Sequence, residues 1–174
     1  MNVDLIVDWE TRGCDPSKHE CADELRRVLH QHFAADIFHT DAEALVNPVN
    51  CVGVMGKGLA AEFKKRFPGN FASYKKACDQ KKLKPGIVQV CETMVFHPSY
   101  IINFPTKRHW RDKSRLEDIE IGLQSLVHAV HHHKIRSVAV PRLGCGLGGL
   151  DWADVKPLIK KAFAELPKVK LILC

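Results

Sequence analysis

No stretch of the 174 residues is apolar for long enough to cross a bilayer, and the N-terminus lacks a basic segment followed by an apolar core. Neither a membrane segment nor a secretory leader is indicated. The seven cysteines, at 14, 21, 51, 78, 91, 145 and 174, are odd in number and include no C-x-x-C pair. Scattered thiols of this kind point to a reducing compartment, cytoplasmic or, in a eukaryote, nuclear. Also missing are the G-x-G-x-x-G fingerprint with its downstream acid and the G-K-[ST] ending of a P-loop. His128, His131, His132 and His133 crowd one helix end, but no nearby acid or Cys completes a tetrahedral set, so they read as a solvated surface and no metal is expected. With 45% apolar and 26% charged residues, the length and composition suit one soluble domain with a single core.

What is present is a pair of glycine loops. Val46-Asn47-Pro48-Val49-Asn50-Cys51-Val52-Gly53-Val54-Met55-Gly56-Lys57-Gly58 ends an apolar run, crosses three glycines and turns helical at Leu59. Val138 to Leu150 repeats the plan, with four glycines at 144, 146, 148 and 149 and a helix start at Asp151-Trp152. Each is a strand, a loop and a helix N-terminus, which offers unpaired N–H groups and the positive end of a dipole to an anion. Two such loops at the carboxyl ends of strands form opposite walls of one crevice in an open α/β sheet, and a phosphate or diphosphate is the ligand they suit.

Four segments together resemble the macrodomain family, the fold that binds ADP-ribose: residues 46–58; Asn103-Phe104-Pro105-Thr106-Lys107-Arg108-His109-Trp110-Arg111; Ser114-Arg115-Leu116-Glu117-Asp118-Ile119; and Pro141 to Trp152. Within the family they are most similar to the bacterial antitoxin macrodomains, of the DarG type, that remove ADP-ribose from DNA. The resemblance runs from Asp36 to the C-terminus. It implies a three-layer α/β/α macrodomain with a mixed, largely parallel sheet over residues 35–174, and leaves 1–34 as an N-terminal extension packed on that domain.

In chain order, Val3 to Val7 reads as a strand and Asp15-Pro16-Ser17 with Glu20 as a capping box opening a helix to about His30. Asp8-Trp9-Glu10-Thr11 echoes the D-x-E-T of metal-dependent exonucleases, but the further acids such a site needs cannot be placed. A strand is expected within residues 28–37. Another ends at Asn47, helices cover about 58–66 and 70–80 with Pro68-Gly69 as a break, and strands at 87–91 and 100–104 flank a hairpin. Ser114 with Glu117 reads as a second capping box, opening a helix to about His132. A strand at 136–140, a helix at 152–165 and a strand at 168–173 complete the alternation.

The resemblance also implies roles. Asp36-Ile37 matches the position whose carboxylate binds the adenine amino group, although Ala35 stands where the family usually has Gly. Asn50 matches the asparagine that orients the distal ribose. Asn47, Val54 and Met55 are expected to bind ADP-ribose, although Asn47 could instead cap or brace its own turn; Gly56 and Gly58 leave room at the ribose, and Gly144, Cys145, Gly146, Leu147 and Gly148 cradle the diphosphate. Lys107 matches the lysine that is essential in the resembling glycohydrolases and that attacks the anomeric carbon in a eukaryotic relative. A lysine is a nucleophile only as the free amine, so burial and neighbouring cations must lower its pKa; Arg108 and Arg142 are the expected cations. That relative's assisting acid falls at Gly148 here, which leaves the proton acceptor open; Asp151 is nearby but suits a helix N-cap.

The net charge of +6 permits nucleic-acid contact, and Arg108, His109, Trp110 and Arg111 mix cations with an aromatic in the way that stacks bases and neutralises phosphates. The expected function is an ADP-ribosyl glycohydrolase acting on a DNA base, with no cofactor or membrane. Its partners would be ADP-ribose, ADP-ribosylated single-stranded DNA and a cognate ADP-ribosyltransferase toxin. The alternatives are hydrolysis of protein-linked ADP-ribose or ADP-ribose 1″-phosphate, and a non-catalytic ADP-ribose reader.

Overall fold

The computed structural model describes residues 36–174. The expected strand at 3–7, the helix through His30, the D-x-E-T segment, Cys14, Cys21 and most of the strand expected in 28–37 lie outside the described residues. From Asp36 the order is a short 3-10 turn (Ile37–His39), β1 (Ala44–Asn50), α1 (Gly58–Arg66), α2 (Pro68–Asp79), β2 (Gln89–Glu92), β3 (Tyr100–Lys107), α3 (Leu116–His132), β4 (Ser137–Val140), α4 (Trp152–Phe163) and β5 (Lys170–Leu173). No described helix is long and apolar enough to cross a membrane.

The five strands form one sheet in the order β2-β3-β1-β4-β5. β3, β1, β4 and β5 are parallel, and β2 is an antiparallel edge joined to β3 by a hairpin. Strand residues alternate between two cores because side chains of a strand point to opposite faces. Val46, Ile102, Phe104, Val138 and Val140 pack with Ile119, Leu123 and Leu126 of α3 and Val155 and Ile159 of α4. Leu45, Ile101 and Ala139 face the other way, toward Phe63 of α1, and Val49 packs with Tyr74 and Cys78 of α2. The result is the expected α/β/α sandwich.

Both central strands outrun the lengths read from sequence. β1 continues through Pro48 to Asn50, and β3 through Pro105 to Lys107. Proline lacks an N–H and is usually confined to strand edges or ends. Here each proline lies where one neighbour has stopped: β4 pairs only with Ala44 and Leu45, and β2 only with Tyr100 to Asn103. The overhang carries β1 and β3 beyond the rest of the sheet and sets Asn50 opposite Lys107 across a register shift.

Two smaller expectations are corrected. Pro68 opens α2, as its fixed φ suits a first helical position, so the break is Phe67 alone. Ser114 does not cap α3: Arg115 is the N-cap and makes no side-chain bond, while the Ser114 N–H donates to Gly148 O at 3.0 Å. Asp151 does cap its helix, accepting from Ala153 N at 2.8 Å.

Candidate active site

The ends of β3, β1 and β4 lie side by side, with β1 at the point where the chain crosses from one side of the sheet to the other. This is where open α/β sheets place their ligands. Three segments meet there: the first loop (residues 51–57), the turn after β3 and the second loop (residues 141–150).

Asn50 shapes the first loop. Its Oδ1 accepts from Val52 N (3.0 Å) and Val54 N (3.3 Å), and its Nδ2 donates to Val54 O. The fully buried Tyr74 hydroxyl donates to Asn50 O (2.9 Å) and Oδ1 (3.0 Å), tying the loop to α2. Asn50 is 7% exposed, and a primary amide carries two N–H donors, so one remains for a ligand. Asn47 is 0% exposed and sits one layer lower. Its Nδ2 donates to Asn103 Oδ1 (2.9 Å), and Asn103 exchanges bonds with Asn70 of α2, so the structure gives Asn47 a bracing position. Met55 is buried beside it, while Val54 and Gly56 face solvent.

The second loop is drawn tight by Cys145 N to Arg142 O, Gly149 N to Gly146 O and Leu150 N to Gly144 O. Gly144 has φ +73°, which L side chains rarely adopt. A Cβ on Gly148 would collide with the Gly144 carbonyl and Ser114 Oγ, so no acid can stand there. Among the described residues, the N–H groups of Gly146, Leu147 and Gly148 find no protein acceptor. Successive free amides of this kind make an anion-binding concavity. Cys145 gives its thiol to Leu143 O (3.4 Å), and burial pushes its pKa up, so it is a neutral wall.

Lys107 ends β3 half-buried, and its Nζ donates to Leu147 O at 2.6 Å, spanning the crevice. The Leu147 side chain, 67% exposed, approaches Gly58 at the head of α1, so the two loops meet over the crevice. Burial lowers the Lys107 pKa below the ordinary lysine value; Lys113 lowers it further and Asp112 opposes. Neither Arg108 nor Arg142, the expected cations, contributes to that lowering. Arg108 is held by the buried Asp118 through two bonds, Nε to Oδ2 (3.2 Å) and Nη2 to Oδ1 (3.1 Å), and Arg142 lies over the Trp152 ring at 5.7 Å.

Arg108 also accepts from Cys51 N through its backbone carbonyl (3.2 Å), bracing the first loop. Beyond it the chain turns on Asp112, whose Oδ2 accepts from His109 N (3.1 Å). This turn presents Trp110 at 46% exposure, with the His109 ring centroid 5.3 Å away and the Arg111 guanidinium 4.5 Å from its ring.

At the far side, Asp36 caps the 3-10 turn, accepting from Phe38 N (3.0 Å), and lies 2.9 Å from His39 Nδ1. The Phe38 N–H, with His39, holds its carboxyl below the usual range. Cys174, just past β5, packs against the same apolar cluster as Ile37 and Phe38, and burial, with the Asp36 carboxylate, pushes its thiol up to about 11. Ile37 is buried beneath it.

Tyr74, Lys113, Ser114 and Asp118 were not legible as site residues. Nothing in sequence distinguishes them from a core tyrosine, a loop cation, a helix cap and a helix-surface acid. His128 and His132 stack 6.2 Å apart, and among the described residues no group of three or more His, Cys, Asp or Glu could hold a metal ion. A groove of about 610 Å³ runs between α3 and α4, but no residue of the three segments lines it.

A family model described as "Macro domain" matches residues 46–159. A curated relative from Mycobacterium tuberculosis, named DNA ADP-ribosyl glycohydrolase, is 48% identical over 141 residues, which is 80% of this chain. The chain spans only 40% of that relative's length. Among solved structures, the macrodomain of Mycobacterium tuberculosis DarG superposes with a TM-score of 0.79 at 48% identity, covering 81% of this chain and 93% of that one. Thermosipho africanus DarTG in complex with ADP-ribose gives 0.77 at 31% identity, covering 90% of this chain and 51% of that one. With the sandwich, the two loops and a family model matched over most of its length, this chain belongs to the macro domain family.

Proposed function

We propose that this chain hydrolyses the bond between ADP-ribose and a DNA base. The observation that carries the reading is Lys107: a half-buried amine with a lowered pKa, opposite Asn50, touching the loop whose free amides suit a diphosphate. The 48% identity to a protein named DNA ADP-ribosyl glycohydrolase supports DNA as the carrier of the mark.

In this reading the free amides at Gly146 to Gly148 and the head of α1 hold the diphosphate. Asp36 has lone pairs to spare for the adenine amino group, and the remaining Asn50 N–H takes a distal ribose hydroxyl. The Lys107 amine then displaces the base at the anomeric carbon. The base leaves with the bonding electrons and is protonated. Water cleaves the lysine adduct, freeing ADP-ribose and restoring the amine. His109, Trp110 and Arg111 hold the DNA, while Arg108 serves as a brace. An enzyme that erases this mark implies an ADP-ribosyltransferase that writes it, and that transferase is the partner.

The test is release of ADP-ribose from ADP-ribosylated single-stranded DNA and from glutamate-ADP-ribosylated protein. Wild type should cleave the DNA, and Lys107→Ala should bind ADP-ribose yet release none. Cleavage of protein alone would move the substrate. Binding without cleavage of either would make the chain a reader.

A further inference from the structure

The segment between the Trp110 turn and α3 holds an exposed lysine that the proposed reaction does not use. Lys113 Nζ lies 3.1 Å from where a Cβ would stand on Gly149. Its ammonium therefore rests on the second loop, two positions beyond the Leu147 carbonyl that holds Lys107. We propose that Lys113 is a positioning residue acting through Lys107: seated on the same loop, its ammonium repels a second positive charge at its neighbour and so favours the free amine that attacks. This rests on the reading of Lys107 as nucleophile.

The other charged groups around Lys107 leave this task to Lys113. Asp112, on the same turn, acts in the opposite sense. Arg108 is neutralised by Asp118. Lys57 is the only charged side chain in the first loop and stands at the N-cap of α1. From the second loop, Lys107 meets a backbone carbonyl; Arg142 there lies over the Trp152 ring, and the Cys145 thiol is kept neutral by burial. The repulsion lowers the Lys107 pKa in addition to burial, and Lys113 is the cation that contributes to that lowering. The loop fixes the geometry, since Gly149 has no side chain to displace the lysine.

The sign is fixed by the chemistry. Activity requires the free amine, so it rises as pH passes upward through the Lys107 pKa. Removing a neighbouring positive charge raises that pKa and moves the acidic limb of kcat/KM to higher pH. Lys113→Arg, Lys113→Gln and Lys113→Glu should give limbs in that order: unchanged, displaced upward, and displaced furthest upward. The site is exposed, so all three variants should keep the melting temperature. A direct readout comes from reductive ¹³C-methylation and NMR titration of the Lys107 amine, assigned by its absence in Lys107→Ala, in the wild type and the Lys113 variants. The same order of midpoints is expected. If Lys113→Gln and Lys113→Glu leave the midpoint where it was, the inference is overturned, even if KM for DNA rises. Loss of cleavage in Lys107→Ala checks the underlying reading separately; the NMR titration needs no substrate and judges Lys113 whatever that check returns.

Discussion

Gly148 shows how one residue decides which chemistry a site can hold. By resemblance, an assisting acid is expected to fall at this position. Here the Gly144 carbonyl and Ser114 Oγ occupy the space a Cβ would need, and both are fixed, one by the Leu150 N–H and the other by burial. Among the described residues Ser114 Oγ is buried without a hydrogen-bond partner, and the serine lies close against Gly144 and Gly148. Gly148→Ala should therefore cost about 1–3 kcal/mol through overpacking and weaken ADP-ribose binding, as read by thermal melts and calorimetry. Binding at wild-type strength would mean the loop relaxes freely. Tyr74 makes a gentler case. Tyr74→Phe keeps the buried ring but removes the donor to Asn50, which should lower stability by about 1 kcal/mol and loosen the first loop. An unchanged melting temperature would show that Asn50 holds the loop without it.

At the scale of elements, the site exists because β1 and β3 overhang their neighbours and α3 presses close beneath. A Cβ on Gly122 would strike the Phe104 ring, with Cε1 only 2.8 Å away. Gly122→Ala should destabilise the fold by about 1–3 kcal/mol in denaturant titration, since the ring lies in the closed core and cannot yield. A neutral result would require that ring to shift freely. The glycine loops and the alternation of strands and helices were legible because composition marks them: β-branched runs, then glycines, then amphipathic helices. The overhangs were not, because Pro48 and Pro105 read locally as stops. Only the short pairing of β4 and β2, a property of other strands, makes them tolerable. Ser114 misled for a related reason. Its spacing from Glu117 fits a cap, but Gly148, far along the chain, claims its N–H. Lys107 and Asn50 were placed by resemblance, and their opposition across two strands came only from the register. The choice among Arg108, Arg142 and Lys113 as the neighbouring cation depended on partners that sequence does not order: Asp118 for the first, Trp152 for the second and the second loop for the third.

Across the molecule, the two halves of the proposed substrate make different demands. In the proposed reading ADP-ribose is held by the two glycine loops through free backbone amides, a binding mode that needs no exposed aromatic. In the same reading DNA is held from outside, by the turn after β3, which carries an exposed indole with a guanidinium over its ring and an imidazole beside it. The indole lies on the turn that directly follows Lys107 at the end of β3. Base stacking on an aromatic contributes about 1–3 kcal/mol per base and reads little sequence. Trp110→Ala should therefore raise KM for ADP-ribosylated single-stranded DNA by about tenfold or more while leaving the Kd for free ADP-ribose unchanged. Arg111→Ala should make DNA binding less steep in salt, as expected when one phosphate contact is lost. If Trp110→Ala weakens free ADP-ribose and modified DNA equally, the indole belongs to the ADP-ribose crevice. The strand of DNA must then be held by another face of the molecule.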